Sequence, residues 1–134
     1  MPDAAKQNGD ETNVPLPLKV LDSVDASMLN SFRDLQQPDE PDLITELIDL
    51  FLKDAAEQIA LLEKADITKT KFIKESAHKL KGTSGNVGAL QMAALSGRLE
   101  ENFADFEKAR ILTAEMKSEF ENVSRILNDM RKND

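Results

Sequence analysis

The sequence predicts an all-α protein, an antiparallel up-down-up-down four-helix bundle with an additional short N-terminal helix. Apolar residues recur at intervals of three and four along most of the chain, and no useful stretch alternates apolar and polar residues as a strand does. The 134 residues include only five prolines and neither Trp nor Tyr. Four long periodic stretches joined by short breaks are typical of an antiparallel bundle.

The N-terminal region divides into a tail and a short helix. Residues 1–20 are polar, carry Pro15 and Pro17 and show no periodicity, which predicts a flexible tail or linker. Residues 21–134 are then expected to form the bundle domain. Asp25 is placed to cap a short helix. The expected inner face of that helix consists of Met28, Leu29, Phe32 and Leu35.

The segment QQPDEPD separates this helix from the second one. Asp39 or Glu40 is expected to cap the second helix, with Pro41 in its first turn. The inward stripe of the second helix consists of Ile44, Leu47, Ile48, Phe51, Leu52, Ala55, Ile59 and Leu62.

The remaining three helices are predicted in the same way. The third begins near Thr68 and ends around Asn86, with Gly88 suited to a left-handed turn. Its core face consists of Ile73, Ala77, Leu80, Ser84 and Val87. The core face of the fourth consists of Leu90, Ala94, Leu95, Leu99 and Phe103. The fifth runs from about Phe106 to Met130, with Ala109, Leu112, Met116, Phe120, Val123, Leu127 and Met130 on one side.

Composition excludes several classes of function. The net charge of −8 argues against a general nucleic-acid binder, because phosphate backbones require a basic surface. No cysteine is present, so neither a disulfide framework nor a thiolate metal site is possible. The sequence contains no apolar run of the roughly 20 residues that a membrane span needs and no secretory signal. We therefore expect a cytoplasmic protein without membrane insertion.

The charge is distributed unevenly along the chain. Residues 69–81 contain five lysines and one glutamate, a local charge of +4, which leaves −12 for the rest. A basic island in an acidic protein is either a solvated helix face or a place where negative charge binds. This island contains His78, the only histidine in the chain.

His78 is expected at the edge of the bundle with its ring reaching solvent. Its helical neighbours at three, four and seven positions are mostly lysines and glycines, whereas a histidine buried in the core would have apolar neighbours. Without a second histidine or a cysteine it cannot hold a metal tightly. It could serve as a general base beside Ser76 or Ser84, although a narrow bundle offers no obvious oxyanion hole. The remaining chemistry is nucleophilic, in which the imidazole carries a group covalently.

The segment AHKLKGTSGNVGA, residues 77–89, closely resembles the signature of histidine-containing phosphotransfer (HPt) domains, A-H-x-L-K-G-S-S-x-x-x-G-A. The resemblance extends more loosely from about Asp25 to Met130. It implies that His78 is phosphorylated on its outer ring nitrogen. Lys81 would then stabilise the phosphoryl group, and Gly82 would give a partner access.

The resemblance also implies supporting residues. Ser84, Gly85 and Gly88 would shape the helix end and the turn after it. Lys74 is added as a supporting residue from helical spacing alone, since it lies one turn before His78. Glu100 stands where some members have a glutamine that orients the histidine. A glutamate could accept a hydrogen bond from the ring but would repel a phosphate, so the sequence gives it no firm role.

The family's partners are response-regulator receiver domains and hybrid sensor histidine kinases. A receiver supplies an aspartyl phosphate and Mg²⁺, so no cofactor of the chain's own is expected. No phosphate-binding loop is present, which predicts a phosphoryl carrier without kinase activity. A monomer is expected, docking through exposed apolar positions of helices two and three near His78. The alternative is a bundle that only binds a receiver or kinase partner, in which His78 is a relic.

Overall fold

The computed structural model describes residues 22–39 and 42–132, and the predicted tail over residues 1–20 lies outside them. Five helices are present in the described ranges, with no strand among them. They are α1 Ser27–Arg33, α2 Leu43–Lys64, α3 Thr70–Asn86, α4 Leu90–Glu101 and α5 Phe106–Lys132. The predicted fold class, an all-α antiparallel four-helix bundle with a short N-terminal helix, is confirmed.

The four long helices form a closed ring around one core. Each packs against two neighbours, in the order α2, α3, α4 and α5, with α5 returning to α2, and α1 packs on α2. Buried aliphatic residues from all five helices fill the interior. Phe51 and Phe120 meet edge to face between α2 and α5, with ring centroids 6.3 Å apart. The apolar stripes predicted for α2, α3 and α5 supply most of this core.

The predicted cap of α2 is wrong, and the start of α3 is close to the predicted one. The cap of α2 is Asp42, whose carboxylate accepts hydrogen bonds from the backbone N–H groups of Ile44 and Thr45. Because the cap must immediately precede the first turn, neither Asp39 nor Glu40 fills this role. Glu40 and Pro41 lie outside the described residues. Helix α3 begins at Thr70, two residues after the predicted start.

The turn from α3 to α4 is built around Gly88. The Ala89 N–H donates to the Ser84 carbonyl at 2.9 Å and the Gly88 N–H donates to the Gly85 carbonyl at 3.1 Å, which is a Schellman ending. Gly88 has φ 77°, as the sequence predicted. A Cβ there would lie 2.2 Å from the Asp25 carbonyl oxygen, so only glycine fits. This turn fixes the direction in which α4 leaves α3.

The chain before α1 is held against the same turn. The Asp25 N–H donates to the Gly88 carbonyl at 2.7 Å, and the Gln91 N–H donates to the Asp22 carbonyl at 3.1 Å. The Asp25 carboxylate accepts from the Ser27 N–H and hydroxyl, although the residue at the N-cap position is Ala26. Residues 22–25 thus anchor α1 at the α3–α4 end of the bundle.

The predicted inner face of α1 is mostly wrong. Leu29 is fully buried, but Met28, Phe32 and Leu35 are exposed, and Leu35 lies beyond the end of the helix. The helix has only seven residues, about two turns, and Leu29 is its one buried residue.

The predicted core face of α4 is partly wrong. Leu95 and Leu99 are buried, whereas Leu90 and Ala94 are only partly buried and Phe103 follows the end of the helix. Met92 and Ser96 complete the buried face instead. Because α4 contacts both α3 and α5, its buried face differs from a single apolar stripe. In the part of the chain that is described, no helix has the length and apolar character to cross a membrane.

Candidate functional site

His78 lies in the middle of α3 on the outer surface of the bundle. Its side chain is 70% exposed. The adjacent Ala77 is fully buried, because a step of one residue turns the helix by about 100° and takes the side chain out of the core. The prediction of a solvent-facing histidine is confirmed, and a histidine buried in the core is excluded.

Glu100 of α4 fixes the inner edge of the imidazole ring. Its Oε2 lies 2.8 Å from His78 Nδ1. An ionised carboxylate can only accept a hydrogen bond, so Nδ1 carries the proton in this contact. In neutral imidazole the other nitrogen, Nε2, then keeps its lone pair. Among the described residues, no group hydrogen-bonds to Nε2, and the exposed side chain leaves this nitrogen accessible to another molecule.

Lys81 holds the second oxygen of the same carboxylate. Its Nζ lies 3.0 Å from Glu100 Oε1, and the Glu100 side chain is only 20% exposed. The hydrogen bond from Lys81, and after it the one from His78, lowers the pKa of Glu100 below its ordinary value. Glu100 is therefore ionised at neutral pH and serves as an acceptor for both groups at once.

The surface next to His78 is bare of side chains. Gly82 and Gly85 follow His78 by four and seven residues, which places all three on one face of α3. A Cβ added at either glycine would meet no atom within 4 Å apart from its own helix. The fold therefore gives neither position a packing reason to be glycine. The open strip they leave allows another molecule to approach the ring closely.

The other predicted supporting residues lie in different environments. Lys74 is not brought to the histidine, because its Nζ lies over the Phe103 ring, 5.2 Å from the centroid. Lys79 pairs with Asp54 of α2 at 3.6 Å. Gly88 forms the turn described above. Ser84 is fully buried, and its hydroxyl has no hydrogen-bond partner within the described part of the chain.

The geometry disfavours a serine hydrolase. Ser76 is buried and its hydroxyl donates to the Gln58 side chain at 2.6 Å, while Ser84 is completely inaccessible. Neither hydroxyl can reach a substrate at the surface where His78 lies. Within the described ranges, no three His, Cys, Asp or Glu residues cluster as metal ligands would. The arrangement supports an exposed imidazole nucleophile.

Glu100 contacts both His78 and Lys81, and the sequence alone gave it no firm role. Its contacts with His78 and Lys81 cross from α4 to α3, and they depend on the relative position of two helices that a pattern within one helix does not reveal. The sequence offered one indication of this contact, which is that Glu100 stands where some family members have a glutamine that orients the histidine. The structure shows that the glutamate also neutralises Lys81 in the unphosphorylated protein.

Exposed large apolar side chains lie on only one of the two helices expected to carry them, and also on α1. Leu43 and Leu50 on α2 are exposed, as are Met28 and Phe32 on α1. The large exposed apolar residues of the described chain include none on α3, whose outer face is formed by lysines and glycines. The prediction of apolar docking positions on helix three is therefore wrong, while the one for helix two is consistent with the exposure of Leu50.

Comparison with known proteins decides the family. A model of the Hpt domain family matches residues 46–130, which is more than half of the chain. The chain belongs to the Hpt domain family. This Hpt domain is also similar to the crystal structure of histidine-containing phosphotransfer protein B (HptB) from Pseudomonas aeruginosa PAO1. The two share 25% sequence identity with a TM-score of 0.74, over 84% of this chain and 96% of HptB. No curated protein sequence gives a significant match.

The family membership establishes the general function. This chain is a histidine phosphotransfer domain of phosphorelay signalling. Domains of this family carry phosphoryl groups between proteins of two-component systems, namely receiver domains and sensor kinases, and are not themselves kinases.

Proposed function

We propose that His78 accepts a phosphoryl group from the aspartyl phosphate of a receiver domain and passes it to an aspartate of a second receiver. The observation that carries this proposal is the Nδ1 contact with Glu100 on an otherwise open surface. Nε2 attacks phosphorus and forms the N–P bond, while the P–O bond to the aspartate breaks and its electron pair returns to the carboxylate. The onward step reverses these roles.

The residues around His78 have separate roles in this step. The Glu100 carboxylate holds the proton on Nδ1, so that in the neutral ring the lone pair available for attack is on Nε2. Lys81 lies beside the ring with its side chain 48% exposed, and its charge offsets the dianionic phosphoryl group. Gly82 and Gly85 leave room for the active site of the receiver.

The Mg²⁺ of the reaction is proposed to come with the receiver domain. Two carboxylates on neighbouring helices contact this side of α3, Glu100 and Asp54, and each is paired with a lysine. A divalent cation prefers several carboxylate or carbonyl oxygens without competing ammonium groups, so these residues do not fit a metal site. The receiver's metal would neutralise charge as the phosphoryl group moves.

The proposal also covers how the receiver docks on the surface around His78, and in what state the carrier acts. We expect the receiver to dock over Gly82 and Gly85, with Leu50 of α2 as an apolar contact and Lys79 and Lys81 at the rim. The interface should be modest, because a carrier must release each partner. The carrier acts as a cytoplasmic monomer without ATP-dependent kinase activity, with a hybrid sensor kinase as one source of receivers and residues 1–20 as a linker.

A phosphotransfer assay tests this proposal. The full chain is incubated with Mg²⁺ and phosphorylated receiver domains of the source organism, beside His78→Gln and Lys71→Gln variants. Lys71 is exposed on the same helix, two turns before His78, and serves as the matched control. Acid-labile, base-stable label on the wild type and on Lys71→Gln, with none on His78→Gln, is the expected result. Binding of receivers without label on the wild type would contradict phosphotransfer and leave a binding module.

A further inference from the structure

Gly97 in α4 is a glycine that neither the motif nor the helix itself explains. It lies inside Leu90–Glu101, where glycine weakens a helix relative to alanine. Gly88 is the only glycine with positive φ in the described residues, so the backbone at Gly97 is one that any residue can adopt. A reason for glycine here has to come from the space around it.

That space is taken by the side chain of Lys81. A Cβ added at Gly97 would lie 3.4 Å from Lys81 Cδ, and this is the only atom it would meet within 4 Å outside its own helix. The distance allows one carbon, at the lower end of ordinary van der Waals contact. Branches or further carbons from residue 97 would occupy the position of the lysine stem.

The path of the stem determines where the ammonium lies. Lys81 crosses α4 at Gly97, and its Nζ then bonds Glu100, which is three residues further on and on the same face of the helix. With Oε1 of Glu100 occupied by Lys81, Oε2 is directed to His78 Nδ1. A displaced lysine stem would free the carboxylate to rotate and would remove the cation from the side of the imidazole.

We propose that Gly97 is a positioning residue for phosphotransfer. Because Gly97 has no side chain, the Lys81 side chain can lie across α4 at this position, and Lys81 in turn orients Glu100 and His78. The proposal rests on the function proposed above. It predicts that the size of residue 97 acts through Lys81 alone, because no other described residue comes within reach of a Cβ at this position.

The experiment combines a size series with a double-mutant cycle. Gly97→Ala, Gly97→Met and Gly97→Leu are made in the full chain, and Gly97→Leu is also combined with Lys81→Ala. Arg98→Leu is the matched control, because it places leucine one residue further on, in a groove with Asn102 and Ile111 near α5. Circular dichroism and thermal unfolding report the fold of every variant.

Two readouts are measured. The first is the ¹⁵N spectrum of the imidazole, which has a single possible source because His78 is the only histidine. The second is the rate of phosphoryl transfer from a phosphorylated receiver. An exposed ion pair has a modest effect, so Gly97→Leu and Lys81→Ala are each expected to lower the rate about three- to fivefold. Gly97→Ala should lower the transfer rate by no more than about twofold, and the rate of Gly97→Met should lie between those of Gly97→Ala and Gly97→Leu.

In the expected outcome, Gly97→Leu also increases the fraction of the Nε2-protonated tautomer and adds no further loss to Lys81→Ala. Arg98→Leu retains the wild-type tautomer. A folded Gly97→Leu with wild-type tautomer and rate would overturn the inference, as would a full additional loss in the double variant. If the wild type accepts no phosphate from any receiver, the proposed function fails, while the tautomer measurement still decides whether Gly97 positions Lys81 and Glu100.

Discussion

The two halves of the bundle are packed with different kinds of side chains. Between α2 and α5, large residues fill the interior, and the Phe51–Phe120 contact is part of it. The buried positions of α3 and α4 include more small side chains, namely Ser76, Ala77 and Ser84 on α3 and Ser96 on α4. The α3 and α4 backbones come close together at more positions than those of any other helix pair in the described chain.

The difference separates stability from function. Large side chains on the α2–α5 side bury the most apolar surface per residue, which is the main favourable term in folding. Small side chains on the α3–α4 side let the two helices approach, so that Glu100 of α4 reaches His78 and Lys81 of α3. Substitutions on the α2–α5 side should therefore mainly lower the free energy of unfolding. Substitutions on the α3–α4 side should mainly alter the contacts of Glu100 with His78 and Lys81.

The largest effect on stability is expected from Phe51→Ala. Phe51 is buried at 4% exposure, and the truncation leaves a cavity that neighbouring large side chains fill only in part. The free energy of unfolding should fall by about 3–5 kcal/mol. Urea titration followed by circular dichroism measures this. Under conditions where the variant remains folded, the His78 tautomer should be unchanged, and a changed tautomer would show that the halves are coupled.

Ser96→Leu tests the other half. Ser96 is fully buried, its hydroxyl donates to the Met92 carbonyl at 2.8 Å, and its Oγ lies 3.9 Å from the Met116 sulfur of α5. Overpacking here should cost about 1–3 kcal/mol and displace α4. The readout is the ¹⁵N imidazole spectrum, in which the Nδ1-protonated tautomer should lose population. A variant destabilised to this extent but with the wild-type tautomer would contradict the role of close packing.

Ser84→Ala should change stability less and in the opposite direction. The Ser84 hydroxyl is buried without a hydrogen-bond partner in the described residues, which is costly relative to a methyl group. Removal is expected to be neutral or to stabilise the fold by up to about 1 kcal/mol. Urea unfolding of the two proteins side by side measures it. A loss of more than 1 kcal/mol would mean that the hydroxyl has a partner, such as a buried water.

The smallest effect is a pH dependence from Glu100. Hydrogen bonds from Lys81 and His78 lower the pKa of Glu100 in the folded state. A depressed pKa contributes stability above the ordinary glutamate value, and that contribution is lost as the pH falls below about 4. Unfolding of the wild type and of Glu100→Gln is compared at pH 7 and pH 3. The difference in free energy of unfolding between the two proteins should be smaller at pH 3 than at pH 7. If this difference is the same at both pH values, the ionised Glu100 does not cause it.

The sequence predicted the elements whose apolar stripe faces one continuous core. The stripes of α2 and α5 are long and regular, so their positions and most of their buried residues were predicted correctly. The motif around His78 and the left-handed Gly88 were also predicted, because glycine at a helix end has a local conformational meaning. The inner face of α1 was not, because a helix of seven residues is placed by Leu29 and by backbone bonds from Asp22 and Asp25.

The sequence by itself determined the helical class, the exposure of His78 and the identity of the residues that follow it, since all of these depend on spacing within one helix. Only the tertiary structure decided that Glu100 bonds both His78 and Lys81, that Lys74 lies over Phe103, and that Gly97 lies under the Lys81 stem. These contacts depend on the register of one helix against another. That register is set by side-chain packing across the whole bundle, which no local pattern contains.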